Sequence, residues 1–393
     1  MQAPTERLAL VMGGGGARSA YQVGVLRSIA RRHPHLFTPI LTGVSAGAIN
    51  TAYLASDSGD FAAKIERMRE HWLGLTTARV FRSDPYSLLK IASRWGVRLA
   101  SGGRKLAPQP RGMVDTEPLR AFLCETLKCE NGSLPAIAEN LRRGALHAVG
   151  VTTTDYATGR SVTHVQSNGA PGWLRPNRVS VEAPLTIDHI MASAALPLFF
   201  PAVKVGESWH GDGGVGLTAP LSPALHLGAE RILAISTRYE RTTIDLTQPT
   251  TNGYPPPAQI VGLMFNAVFL DLLDQDALNL DRINRLIDGL PADQRMGLRP
   301  VRLLLLRPSR NLSALAGKFE PRLPQPFKFL MRGTGTKETK SPESLSMVMF
   351  EPDYIRSVIE LGEEDGERRA AEIDAFLGGE QRPGMMVTGF WRV

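Results

Sequence analysis

The sequence predicts an α/β fold of three layers, α/β/α, with a mostly parallel central sheet and a helical C-terminal extension. Three observations predict it. Short apolar runs of strand length alternate with helix-like segments, the pattern of a parallel sheet covered on both faces. Two of these runs end in glycine-rich turns that open helices, at "GGGGARS" and "GVSAG". The chain ends on a strongly charged helical pattern over 352–377.

The elements follow in order. Residues 7–12 read as a buried strand and 18–32 as a helix. Residues 38–42 are a second strand, followed by a helix over Ala46–Ala55. Helical patterns cover 60–73, 86–99 and 116–128. "LHAVGVTTTDYATGRSVTHV" is a strand pair around the turn "DYATGR". Residues 186–195 are helical and 231–237 are β-rich. A helical stretch follows "YPPP", from about Pro257 to Ile287, and 301–306 is again a buried strand. "TQPTTNGYPPP" and "RGTGTKETKSPES" are loops by composition. There is no internal repeat.

A chain of 393 residues, 43% hydrophobic, can bury a large core. The only cysteines are Cys124 and Cys129. A disulfide framework is therefore not expected, and a reducing compartment fits. Their CxxxxC spacing lacks a second pair, so no metal is expected. "MQAPTERLALVMGGGG" is broken by Arg7 and ends in a turn, which does not read as a signal peptide. No run approaches the ~18 apolar residues of a membrane span. The expectation is a soluble or peripheral protein of the cytoplasm, docked at most on the inner face of a membrane.

Net charge is +7, and its placement carries the information. Between Arg79 and Arg111 stand eight basic residues and a single acid, Asp84, so this window holds the whole excess. Such a patch calls for an anionic partner. Lys90, Arg94 and Arg98 recur every four residues, beside an apolar stripe of Leu88, Ile91, Trp95 and Leu99. A basic amphipathic helix with a tryptophan suits a membrane interface, though it also reads as a surface helix packed on the core. No nucleic-acid partner is expected, and the oligomeric state is open.

Four consecutive glycines at the mouth of a helix suit an anion, because helix N-termini carry unpaired N–H groups. The anion can be a dinucleotide pyrophosphate, a P-loop phosphate or an oxyanion of acyl transfer. A dinucleotide site wants an acid about 20 residues on, yet no Asp or Glu occurs between Glu6 and Asp57. A P-loop wants Gly-Lys-Ser/Thr, yet the first lysine is Lys64. In their place stands Gly43-Val44-Ser45-Ala46-Gly47. A GxSxG turn between strand and helix exposes its serine as a nucleophile. "HGDGG" then holds Asp212 between glycines, as a turn former or as a carboxylate that another loop can approach.

Together these blocks resemble the patatin-like phospholipase family of lipid acyl hydrolases. "GGGGARS" is similar to its oxyanion block, "GVSAG" to its nucleophile elbow, "ASAALP" to its Ala-Ser-x-Ala-x-Pro block and "DGG" to its Asp-Gly-Gly. Ser19 departs from the glycine that usually closes the first block. The resemblance covers about 6–237, the expected catalytic domain, and leaves 238–393 as an extension packing on it. It implies the family fold, Ser45 as nucleophile and Asp212 as base, a dyad without histidine. It implies an oxyanion hole around Gly14, Gly15 and Gly16. Arg18 would steady that loop or a substrate phosphate. Gly43, Gly47, Gly213 and Gly214 complete the motifs. No cofactor is implied, and the expected substrate is a phospholipid, a lysophospholipid or another acyl ester. A soluble carboxylesterase or thioesterase, and a silent lipid-binding module, are the alternatives.

Overall fold

A computed structural model describes residues 7–102, 111–239, 254–269, 272–333, 335–336 and 342–378. Among the described residues ten strands form one sheet: β1 Leu8–Met12, β2 Ile40–Val44, β3 Ala148–Asp155, β4 Ser161–Ser167, β5 Leu174–Arg175, β6 Arg178–Glu182, β7 Val203–Val205, β8 Ser208–Asp212, β9 Arg231–Ile235 and β10 Arg302–Leu306. The order is β10-β9-β1-β2-β3-β4-β6-β5. From β10 to β3 every neighbouring pair is parallel. β4 joins β3 antiparallel, which is the hairpin around "DYATGR".

Strand periodicity builds the layers. Along β1, Leu8, Leu10 and Met12 enter one core, whereas Ala9 and Val11 enter a second on the other face. β10 repeats the division, with Leu304 and Leu306 in one and Leu303 and Leu305 in the other. Alternation at period two therefore feeds two apolar layers, and helices cover both.

The helices match the periodic segments closely. They run Ala20–Arg32, Ala46–Ser56, Phe61–Leu73, Pro85–Ala100, Glu117–Leu127, Ile187–Ser193 and Pro352–Arg368. The Pro257–Ile287 stretch is two helices, Pro257–Phe269 and Leu272–Ile287. Residues 247–253, 334 and 337–341 of the two composition-based loops lie outside the described residues, as do Arg104 and Lys105.

Cys124 and Cys129 are bonded to each other. The helix Glu117–Leu127 ends at Lys128 with φ 52°, so the chain turns back and brings the two Cα atoms to 4.8 Å. Composition had counted the pair as too few for a framework. A single local staple needs no framework, and the argument for a reducing compartment loses its ground.

The described residues beyond 238 belong to the same body. β10 pairs with β9, and the helix Pro352–Arg368 lies along Ala20–Arg32. Two glycines allow that approach. A Cβ on Gly24 would stand 2.0 Å from the Ile359 carbonyl oxygen, and one on Gly362 would stand 2.3 Å from that of Tyr21. Tyr21 donates to Asp365, and Arg27 pairs with Glu363 across the contact. Gly24→Ala should therefore destabilise by about 1–3 kcal/mol through overpacking. Gly96→Ala, where nothing lies within 4 Å, should be neutral or mildly stabilising. Thermal melts of both variants check this, and equal Tm values would refute the tight crossing.

Candidate active site

The site is assembled at the C-terminal ends of β1, β2 and β3. Register does most of the work. β3 outruns its neighbour: β2 ends opposite Thr152, with Val44 paired there, and β8 takes up the next position, with Asp212 opposite Thr153. The residue after Val44 is Ser45. Serine and aspartate, 167 residues apart, thus become neighbours through consecutive rungs on one strand. Ser45 Oγ donates to Asp212 Oδ2 at 2.6 Å.

The elbow is strained and its flanks explain the motif. Ser45 has φ 56° and ψ −134°, outside the regions open to ordinary L-residues. A Cβ on Gly43 would meet Thr51 Oγ1 at 2.3 Å and the Gly47 carbonyl at 2.5 Å. One on Gly47 would meet the Met12 and Gly13 carbonyls at 2.3 and 2.4 Å. Only glycine fits either position. Behind Ser45 starts the helix Ala46–Ser56, whose N-terminus favours negative charge.

Asp212 is fully buried. Its Oδ1 accepts from the Gly214 amide at 2.9 Å, its own N–H donates to Ala195 O, and its carbonyl accepts from Thr154 Oγ1. A Cβ on Gly213 would stand 2.1 Å from the Thr152 carbonyl, so that position too requires glycine. Burial pushes the Asp212 carboxyl up to about 7, against the downward pull of the Ser45 and Gly214 hydrogen bonds.

The glycine loop lies against the serine. A Cβ on Gly14 would touch Ser45 Cβ at 2.8 Å. Gln22 Nε2 donates to the Gly13 carbonyl and Thr237 Oγ1 to the Gly14 carbonyl. A peptide carbonyl and the following N–H point oppositely. Tying those two oxygens therefore orients the Gly14 and Gly15 N–H groups, and among the described residues neither donates to the protein. Gly15 has φ 152° and Gly16 φ 57°, and a Cβ on Gly16 would overlap the Met347 carbonyl.

Arg18 stands elsewhere. It is buried, its guanidinium donates to Ser346 Oγ and the Glu343 carbonyl, and it pairs with the Glu343 carboxylate at 2.8 Å. It ties the glycine loop to the C-terminal part of the chain, and its engaged guanidinium argues against a substrate-phosphate role. Three histidines are also engaged. His210 Nδ1 and His164 Nε2 both contact Thr153 Oγ1, and His226 stacks on Trp173. Burial pulls His164 down to about 3 and His189 to about 4. Among the described residues no cluster of His, Cys, Asp or Glu is arranged to hold a metal.

Beside Ser45 opens a narrow, mostly apolar cavity between the helices Ala46–Ser56, Phe61–Leu73 and Glu117–Leu127, with Ile49, Trp72, Leu119, Leu123 and Leu196 on its walls. The basic helix Pro85–Ala100 lies apart from it. Of its two sequence readings, the structure agrees with the surface helix packed on the core by its apolar stripe. Leu88 packs on the core, and Ile91, Trp95 and Arg98 are half-buried, while the Leu99 side chain lies outside the described residues. Lys90 and Arg94 face solvent together with Tyr86, Leu89 and Val97.

Residues 10–225 match the patatin-like phospholipase family. The chain belongs to that family. No curated protein sequence matches it. Among solved structures it is similar to VipD from Legionella pneumophila, at 13% identity over 96% of this chain and 67% of that one, TM-score 0.40. It is similar to human GIVD cytosolic phospholipase A2 in complex with methyl gamma-linolenyl fluorophosphonate, at 14% over 95% and 59%, TM-score 0.44. It is also similar to the effector ExoU of Pseudomonas aeruginosa, at 15% over 94% and 54%, TM-score 0.38. The chain spans little more than half the length of the last two.

This patatin-like protein carries all four sequence blocks within the matched residues 10–225. In its frame the four sequence blocks meet at one point. The "ASAALP" block shapes the elbow: Ser193 Oγ accepts from the Ser45 N–H at 3.0 Å and donates to the Thr152 carbonyl at 2.6 Å, so it clamps the elbow to β3. Gln22, Thr154 and Thr237 escaped the sequence reading, because nothing local distinguishes a supporting hydroxyl or amide from any other.

The buried carboxyl makes a prediction about stability. Unfolded, Asp212 ionises near 3.8, and folded near 7. Between these values the folded state holds the extra proton, so this group makes stability fall as pH rises through the window. Asp212→Asn removes that slope. The Tm of the variant relative to wild type should be higher at about pH 8 than at about pH 5. A difference independent of pH would contradict the buried carboxylate.

Proposed function

We propose that the protein cleaves fatty acyl esters of phospholipids or lysophospholipids, with Ser45 as nucleophile and Asp212 as its base. One observation carries the reading: a serine on a strained elbow donates a 2.6 Å hydrogen bond to a fully buried carboxylate, beside an apolar cavity. The carboxylate takes the Ser45 proton as Oγ attacks the ester carbonyl. The free Gly14 and Gly15 N–H groups meet the oxyanion. The alcohol leaves with the proton from Asp212. Water then gives a proton to Asp212, attacks the acyl-serine and releases the fatty acid, and the proton returns to Ser45. A carboxyl raised to about 7 is a competent base near neutral pH, where an ordinary one is too weak.

The exposed faces of two helices support work at a lipid interface. Among the described residues no helix is long and apolar enough to cross a membrane. The solvent face of Pro85–Ala100 presents Lys90 and Arg94 with Tyr86 and Leu89. The helix Pro257–Phe269, which has no charged residue, packs beside the turn Gly213–Val215 and leaves Ile260, Val261, Leu263 and Met264 exposed. Cations beside apolar side chains on the solvent face of Pro85–Ala100 favour an anionic bilayer. In place of Trp95, which the fold turns inward, Tyr86 and Leu89 are the apolar contacts.

Two experiments test these readings. Ser45→Ala and Asp212→Asn, checked for folding, should each lose at least ~10³-fold in ester hydrolysis. Ser45→Ala should also lose labelling by a fluorophosphonate, and a wild-type protein that hydrolyses nothing and takes no label would be a silent lipid binder. For docking, Lys90→Gln with Arg94→Gln should weaken sedimentation with phosphatidylglycerol vesicles by about 30-fold at low salt. Equal binding by both proteins would remove this face as the docking surface.

A further inference from the structure

The cavity beside Ser45 runs along the elbow helix. Ala46, Ile49, Asn50 and Tyr53 line it, one face of that helix at spacings of three and four. From Ala46 to Tyr53 the helix advances about 10 Å at 1.5 Å per residue. At the far end stand Tyr53, His71, Phe122, Thr126 and Leu127. These same five residues line a second cleft, which opens on the surface among Asp57, Arg67, Arg79, Glu125 and Lys128. One layer of side chains therefore separates the two spaces.

That layer is built as a wall. The His71 ring stands edge-on between Tyr53, at 5.3 Å and 65°, and Phe122, at 6.3 Å and 75°. The Arg79 guanidinium lies 5.8 Å from the Phe122 centroid. Burial pulls the His71 pKa down, which favours the neutral ring in this lining. Phe122 and Thr126 come from the helix whose end is stapled by Cys124–Cys129, which holds them from behind.

We propose that the Tyr53–His71–Phe122 wall measures the acyl chain, making this a hydrolase selective for medium-length acyl groups. The inference rests on acyl transfer at Ser45. An extended chain advances roughly 1.2 Å per bond, so ~10 Å seats about eight carbons. A chain of that length fills the tunnel and ends on Phe122. A longer one must displace the ring and push methylenes into the charged cleft beyond, where burial of apolar groups gains little and ions lose water.

The test is kcat/KM on p-nitrophenyl esters from about four to sixteen carbons, for wild type, Phe122→Ala and Thr126→Phe. Both positions are half-buried, so both variants should fold. Wild type should peak near eight to ten carbons and fall at least ~10-fold by sixteen. Phe122→Ala opens the wall and should raise the sixteen-to-eight ratio by ~10-fold or more, whereas Thr126→Phe thickens it and should move the peak to shorter chains. Profiles of both variants that superimpose on wild type would overturn the wall while leaving hydrolysis at Ser45 intact. No hydrolysis at any length, with no fluorophosphonate label on Ser45, would overturn the reading on which the wall depends.

Discussion

The hydrogen bond between Ser45 and Asp212 depends on β3 being shared by two strands. β2 covers its first half and β8 its end, so Val44 faces Thr152 and Asp212 faces Thr153. A slip of one residue in either ladder would move one partner to the opposite face of the sheet. The surroundings guard against that slip. Ser193 clamps the elbow to Thr152, Thr154 holds the Asp212 carbonyl, and Gly213 lies against the Thr152 carbonyl where no side chain fits. Three successive threonines of β3 thus hold the geometry of a pair to which they contribute no reacting atom.

Holding that pair together has an energetic cost. The φ of 56° at Ser45 costs about 1–3 kcal/mol, and Asp212 loses the hydration of a charge. Both terms are offset by packing around the site, which explains how much of the chain surrounds one turn. The glycine loop is held by Gln22 and Thr237 at its carbonyls and by the Arg18–Glu343 pair at its helix. Glu343 lies in the C-terminal part of the chain, whose long helix also packs through Gly362 onto Gly24. The extension is therefore part of the support of the loop and not an appendage.

Much of this was legible because its signals are local. Alternating apolar residues place Leu8–Met12 and Arg302–Leu306 between two layers wherever they sit in the chain. The elbow was legible because Gly43 and Gly47 are demanded by atoms within a few residues or by the adjoining strand end, and a sequence can carry such a demand only as glycine. Other features need contacts that no local pattern shows. The apolar stripe of the helix Pro85–Ala100 suits a membrane or the core, and only the packing of Leu88 on the core decides where it faces. The cysteine pair was judged by number, whereas the left-handed turn at Lys128 decided its bonding.

The sequence by itself determined the element order, the two glycine turns and the candidate pair, because propensity, periodicity and the steric needs of a turn act over a few residues. Only the tertiary structure decided what each charge faces. Arg18 read as a loop or phosphate residue until Glu343, 325 residues away, occupied it. Asp212 read as a turn former or a carboxylate within reach of another loop until the fold closed over it and raised its pKa to about 7. The environment of a charge is set by groups that arrive from every part of the chain, and no local pattern records them.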